Sequence, residues 1–318
     1  MASHGWTKAT YDDVDWHRVQ RVTLVPFIED SDDVVIPDDG LPSGDIRPGE
    51  DVLVDAALRI PLEQAGFRRQ GTHVLALGDG GEHVALWIEG YRYTGRRPHR
   101  ADAPWWTGPA RDVDDVLVHL ADDARRALTH DEMVADTRRI LDASYLREDT
   151  PWGGSGFSGT VEEWNENHAH IVDAVEHDGT FLDVGCANGY LLECMVEWCA
   201  ARRITLEPFG VEISDAIAQR ARARLPQWAD RIWTGDAVTW TPPRRFDVVH
   251  SLLDLVLPAQ RRQLVDNLLT FVAPGGRLVL SAYSPVRTAR SIVDVLGYPI
   301  EGGAGLGVWL RQLEDLAV

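Results

Sequence analysis

The run Asp183-Val-Gly-Cys-Ala-Asn-Gly-Tyr190 follows the apolar pair Phe181-Leu182 and leads into an amphipathic stretch. Glycines in a strand–turn–helix of this kind let backbone N–H groups come close to a bound cofactor, because they take φ > 0 and carry no side chain. A dinucleotide fingerprint, G-x-G-x-x-G, needs glycine at 185, 187 and 190, whereas the chain has Gly185, Ala187 and Tyr190. Tyr190 stands where the helix must pack closely over a pyrophosphate, so a nicotinamide dinucleotide is disfavoured. Asp183, at the strand end, suits a cationic ligand better than a phosphate. His250 lies at the end of another apolar run, Phe246–Ser251. An imidazole there suits base work near neutral pH, while strand alternation would equally bury it. Asp254 lies just beyond, placed to face a substrate. His168 and His170 form an H-x-H without a third ligand at suitable spacing, so a solvated or lid-facing helix is expected there and no metal. The three cysteines, Cys186, Cys194 and Cys199, form no C-x-x-C pair and point to a reduced, cytoplasmic setting.

The elements that must position these residues alternate between strand and helix, which is the pattern of a doubly wound α/β sheet. Strands are expected at 180–184, 206–213, 230–234, 246–251 and 277–282, with two more around Ile300 and Val308. Helices are expected from Tyr190 to about Ala200, from the N-cap Ser214 to about Arg224, at 259–271 and near 286–296.

In this order the segments resemble the class I S-adenosylmethionine-dependent methyltransferases. The turn matches their D/E-x-G-x-G-x-G motif as Asp183, Gly185, Ala187 and Gly189, with Ala in place of the middle glycine. Gly210-Val-Glu212-Ile213 looks like the second motif, whose acid takes the ribose hydroxyls. Gly235-Asp236-Ala237 looks like the third, whose acid receives the adenine amino group. Phe246–Ser251 looks like the fourth, and 268–280 like the turn and strand after it. The resemblance covers about 152–318, within a domain expected at 151–318, and implies a seven-stranded, Rossmann-like sheet that binds S-adenosyl-L-methionine. The residues implied to hold it are Asp183, Gly185, Cys186, Ala187, Gly189, Glu212, Ile213, Asp236, Ala237 and Ser251. Asp247 reads as structural. The glycine-rich stretch Pro151–Gly159 is either a linker or a lid that brings Phe157 or Trp164 against the cofactor.

Residues 1–100 resemble a Nudix box through Gly44, Glu50, Arg59, Glu63 and Gly66-Phe67, which implies a separate α+β domain. Eight residues rather than seven separate Glu50 from Arg59, Ile60 stands in place of a glutamate, and Gln64 replaces another. With so few hard oxygen ligands a divalent metal has no site. Pro61 is expected to break the helix. The domain is therefore expected to be degenerate, left to bind substrate, to form a homodimer contact or to support its neighbour. Residues 101–150 read as a helical connector, with Pro104-Trp105-Trp106 as a loop that could clamp the two domains.

At 318 residues the chain suits two domains, and no apolar run approaches the roughly 20 residues that span a bilayer. The N-terminus shows no basic and apolar leader pattern. A net charge of −19, from 50 acidic and 31 basic residues, disfavours a nucleic-acid substrate. The expected activity is methyl transfer to a small molecule, plausibly a specialised metabolite. The alternatives are a non-catalytic cofactor-binding protein and a Nudix-type phosphohydrolase.

Overall fold

A computed structural model describes residues 5–28, 33–37, 40–65, 67–92, 105–283 and 288–312. The chain divides into two compact units, one ending at Ile140 and the other beginning at Leu141.

The N-terminal unit carries β1 (Thr7–Lys8), β2 (Arg21–Ile28), β3 (Asp33–Pro37), β4 (Ser43–Asp45), α1 (Ala57–Ala65), β5 (Phe67–Gly78), β6 (His83–Arg92), β7 (Trp105–Pro109) and α2 (Val116–Ala127); α3 (His130–Tyr145) spans the boundary between the units. Its sheet runs β1-β5-β6-β2-β3-β7, with β4 paired to β2. β2 and β6 are parallel, and the other pairs are antiparallel. Alternation along β2 sends Val22 and Leu24 to one face, against Ala56, Ala57 and Ile60 of the α1 segment. It sends Val25 and Phe27 to the other, against Leu117, Val118 and Ala121 of α2. Both faces of the strand are thus apolar, as a sheet between helix layers requires. Two expectations are corrected here. α1 continues through Pro61 instead of breaking. The N–H that proline lacks would have reached Ala57, which directly follows a single π turn at Val52–Ala56 where the hydrogen-bond ladder has already changed spacing. Burial of Ala57 and Ile60 holds the helix in place. Trp105 and Trp106 belong to strand β7, paired with β3, and not to a loop; Pro104 lies outside the described residues.

The C-terminal unit contains α4 (Val161–His168), β8 (Gly179–Val184), α5 (Tyr190–Ala201), β9 (Leu206–Glu212), α6 (Asp215–Arg224), β10 (Ile232–Thr234), β11 (Phe246–Leu252), α7 (Arg261–Phe271), β12 (Val272–Ser281), α8 (Ala289–Leu296), β13 (Gly302–Ala304) and β14 (Gly307–Arg311). Its seven strands run β10-β9-β8-β11-β12-β14-β13. The first five are parallel, and β14 is antiparallel to both β12 and β13. The expected seven-stranded, Rossmann-like α/β sheet is what the unit shows. Leu182, Leu278 and Leu280 face α7 and α8. Phe181, Val248 and Val279 face α5, α6 and the segment 171–175. Strand order reverses between β8 and β11, because the chain moves outward from β8 to β10 and then returns to the other side of β8. In open parallel sheets the crevice at such a switch point, beyond the strands' C-terminal ends, is where ligands bind.

Candidate functional site

The turn after β8 sits in that crevice. Gly185 (φ +87), Ala187 (φ +46) and Gly189 (φ +77) all take left-handed backbone conformations. The N–H groups of Gly185 and Cys186 donate to the Val211 carbonyl at 2.8 and 3.0 Å, which ties the turn to the end of β9. Cys186 turns its thiol under the turn against Gly210, where an added Cβ would come within 2.7 Å of Sγ. Burial, with the charges of Glu212 and Asp183, holds that thiol well above its ordinary pKa. Its backbone alone is left to meet a ligand.

Glu212 ends β9 and is 3% exposed. Oε2 accepts the Ala187 N–H at 2.9 Å, and Oε1 accepts the Ser214 N–H at 3.0 Å. The carboxylate thus clasps the turn and the N-terminus of α6 together while keeping lone pairs for a hydroxyl-bearing ligand. Desolvation raises its pKa, and the hydrogen bonds from Ser214, Ala187 and Ile213 oppose the rise. Ile213, partly buried, is the single residue between Glu212 and the α6 cap Ser214.

After β10, the Asp236 carboxylate accepts the Val238 N–H at 3.1 Å and the Thr239 hydroxyl at 2.8 Å, and so shapes the loop at 236–240. Ala237 faces the core, and its carbonyl accepts from Asn267 at 2.8 Å. Asp247 lies at the opposite end of the sheet and accepts both the N–H and the hydroxyl of Thr180, a structural pairing.

Two further expected site residues are buried against neighbouring strands. Ser251 is fully buried, and its hydroxyl donates to the Val184 carbonyl at 3.1 Å, so it braces the root of the turn. His250, expected as a candidate base for the acceptor, is 3% exposed. Its Nδ1 lies 2.8 Å from Asp183 Oδ1, and its Nε2 lies 3.4 Å from Ser281 Oγ. Its register pairing with Asp183 puts both side chains on one face of the sheet, and both ring nitrogens lie against protein groups.

Over the turn lies a segment that sequence reasoning only partly anticipated. Arg220 of α6 donates to the carbonyls of Tyr145 and Leu146, each at 2.9 Å, and to that of Glu148. Asn188 of the turn donates to the Pro151 carbonyl at 2.8 Å and accepts from Ser155 Oγ at 2.7 Å. Ser214 donates to Asp142. Burial, then the charge of Glu212, pushes the Tyr145 hydroxyl up to about 12, which keeps it a neutral donor. Residues 142–155 are therefore a strap fixed to the same elements that present Glu212 and the turn. Beside it stands an aromatic wall. Trp164 stacks on His168 at 3.6 Å and lies 5.1 Å from Tyr190, with Phe157 edge-on at 5.6 Å. His168, expected on a solvated or lid-facing helix, is not solvated: it is buried beside Phe157 and Trp164, and burial pushes its pKa down to about 4, leaving a neutral imidazole.

Asp254 accepts the Tyr283 N–H at 2.9 Å. The buried Tyr283 hydroxyl has no hydrogen-bond partner among the described residues, and its ring centroid lies 5.4 Å from that of His168. Burial and the charges of Asp183 and Asp254 raise its pKa. Tyr145, Asn188 and Tyr283 had no motif signal, and His168 was noted only as part of an H-x-H. The one available hint is positional, since Asn188 lies within the turn and Tyr283 lies just past a parallel strand's C-terminal end.

Residues 181–276 match a family model described as a methyltransferase domain. The chain is 31% identical over 137 residues to trans-aconitate 2-methyltransferase of Methylobacterium radiotolerans, which covers 43% of this chain and 48% of that protein. It is 26% identical over 141 residues to malonyl-[acyl-carrier protein] O-methyltransferase of Haemophilus ducreyi, 42% of this chain and 54% of that protein. The chain thus spans about half the length of these curated relatives. Among solved structures it is similar to the N-methyltransferase NodS of Bradyrhizobium japonicum, in complex with S-adenosyl-L-homocysteine. That likeness has 18% identity and a TM-score of 0.42, and it covers 55% of this chain and 97% of that one.

Proposed function

We propose that the C-terminal unit binds S-adenosylmethionine and directs its methyl group to a small molecule, a specialised metabolite being the reading we favour. One observation carries this. Two buried carboxylates, Asp183 and Glu212, end neighbouring strands around a turn of three left-handed residues at the sheet's switch point. A cofactor with an ammonium, two ribose hydroxyls and no phosphate fits that donor set, whereas a pyrophosphate would meet two negative charges. The methyltransferase-domain match over the same residues supports the reading.

Asp183 would take the ammonium, Glu212 the ribose hydroxyls, and Asp236 with the loop at 236–238 the adenine edge. The backbone at Gly185–Gly189 would lie along the cofactor, with Ile213 and Ala237 flanking it. Bound there, the sulfonium supplies an electrophilic methyl, and its displacement needs alignment and exclusion of water more than a dedicated base. The strap at 142–155, with Phe157 and Trp164, would exclude that water. Asp254 would act through Tyr283, whose hydroxyl, without a hydrogen-bond partner among the described residues, would meet an acceptor.

For the N-terminal unit we keep the Nudix-like reading, without hydrolase chemistry. Arg59 lies 2.6 Å from Glu50 and 3.4 Å from Glu63, and Arg47 lies 3.3 Å from Glu63. The surviving carboxylates are thus neutralised by guanidinium groups, and no cluster able to hold a metal ion occurs among the described residues. Gly66 of the box lies outside the described residues.

Calorimetric titration with S-adenosylmethionine tests the proposal. Glu212→Ala and Asp236→Ala should each weaken binding by about 1–3 kcal/mol through unpaired polar groups. Unchanged affinity in both variants would remove the assignment of the pocket.

A further inference from the structure

Asp183 is 4% exposed, and its carboxylate receives one hydrogen bond among the described residues, from His250 at 2.8 Å. The two residues are register partners across β8 and β11, so the strands themselves set their separation. A carboxylate this deeply buried is costly unless a cation or several donors face it. His250 is the titratable neighbour in direct contact. When His250 is neutral the pair carries one negative charge, and when it is protonated the pair carries none.

Resting on the reading that this turn holds S-adenosylmethionine, we propose that His250 is a positioning residue. Its Nδ1–H aims Asp183 at the cofactor's ammonium, and protonation of its ring withdraws the negative charge that the ammonium meets. The groups facing the pair are few. Ser281 of β12 lies against Nε2 and is uncharged. His168 ends α4, and His170 lies in the turn after it. Both have their pKa values lowered, first by burial and in part by the nearness of His250. The His170 ring packs against the β13–β14 hairpin, where a Cβ on Gly307 would come within 3.0 Å of Nε2. From the ends of β11 and β12, Asp254 and Tyr283 approach, and from β9 the Glu212 charge acts on the same region. Of the three histidines, His250 alone touches a carboxylate within this cluster, so its charge state is the one that changes what Asp183 presents.

The test is calorimetric binding of S-adenosylhomocysteine, which keeps the ammonium, and of methylthioadenosine, which lacks it. Both are titrated between pH 5.5 and 8.5. Wild-type affinity for S-adenosylhomocysteine should fall about tenfold towards the acid end, while methylthioadenosine shows no such slope. His250→Asn, which keeps a donor near the Nδ1 position but cannot be protonated, should abolish the slope and keep near-wild-type affinity at pH 8.5. His170→Asn should retain the slope. A slope that persists in His250→Asn, or one that moves with His170, overturns the proposal. If His250→Asn does not fold, the two ligands on wild-type protein decide: equal slopes overturn it, and a slope for the ammonium-bearing ligand alone supports it. Failure of wild-type protein to bind either ligand would instead remove the cofactor reading on which the proposal rests.

Discussion

Ala187 holds φ +46 with a side chain that disfavours it, a cost on the order of 1 kcal/mol, and it does so where its N–H must reach Glu212. Replacing it with glycine should relieve the strain and, after the added freedom of the unfolded chain is counted, raise stability slightly, by about 0–0.6 kcal/mol. Thermal unfolding checks this, and a lower midpoint would contradict it. Gly185→Ala should do the opposite, destabilising by about 1–2 kcal/mol, because its φ is +87 and the new methyl would lie 2.9 Å from Leu255. At this scale the sequence was informative about type and blind to orientation. Asp183 and Glu212 were legible as strand-end acids beside a glycine turn, and the structure buries both there. What His250 and Ser251 touch was not legible, because their partners, Asp183 and the Val184 carbonyl, come from a strand 67 residues away in sequence and the motif does not carry that pairing.

Asn188 shows what one element contributes to another. It is buried to 1% exposure, and its amide joins the turn to Pro151 and Ser155 of the strap. Asn188→Ala should cost about 1–3 kcal/mol by leaving those groups unpaired. Amides around 146–157 should then exchange faster with solvent while those of β8 and β11 remain protected. Equal protection in variant and wild type would show that the strap is held by other contacts. The alternation of strands and helices was readable from hydrophobic period, and the seven-stranded, Rossmann-like sheet from the resemblance. The strap was not readable in full, because several of its anchors are backbone carbonyls, at 145, 146, 148 and 151, which any sequence supplies. The continuity of α1 through Pro61 escaped for a related reason. The π turn that accommodates it is a backbone adjustment, and burial of Ala57 and Ile60 outweighs the local penalty.

Across the molecule, each unit carries its own two-faced apolar core, and ion pairs tie the outer strands of the C-terminal sheet to its centre. Glu301 receives Arg277 at 2.9 Å and also Arg311, and these guanidinium groups push its carboxyl down to about 2. A carboxyl with a depressed folded pKa stabilises the protein above its unfolded value, about 4.3, and loses that contribution as pH falls towards the folded value. Glu301→Gln should therefore lower the unfolding midpoint at pH 7, and the gap from wild type should narrow as pH falls from about 4.3 to 2. A gap that does not change with pH would contradict the pairing. The account as a whole rests on the adenosyl cofactor lying across the turn at the ends of β8 and β9. Hydrogen exchange with and without S-adenosylhomocysteine tests this directly. Protection is expected at 185–190, 212–214, 236–238 and the strap, with the N-terminal unit unchanged. Protection confined to other segments, or none at saturating ligand, would contradict it.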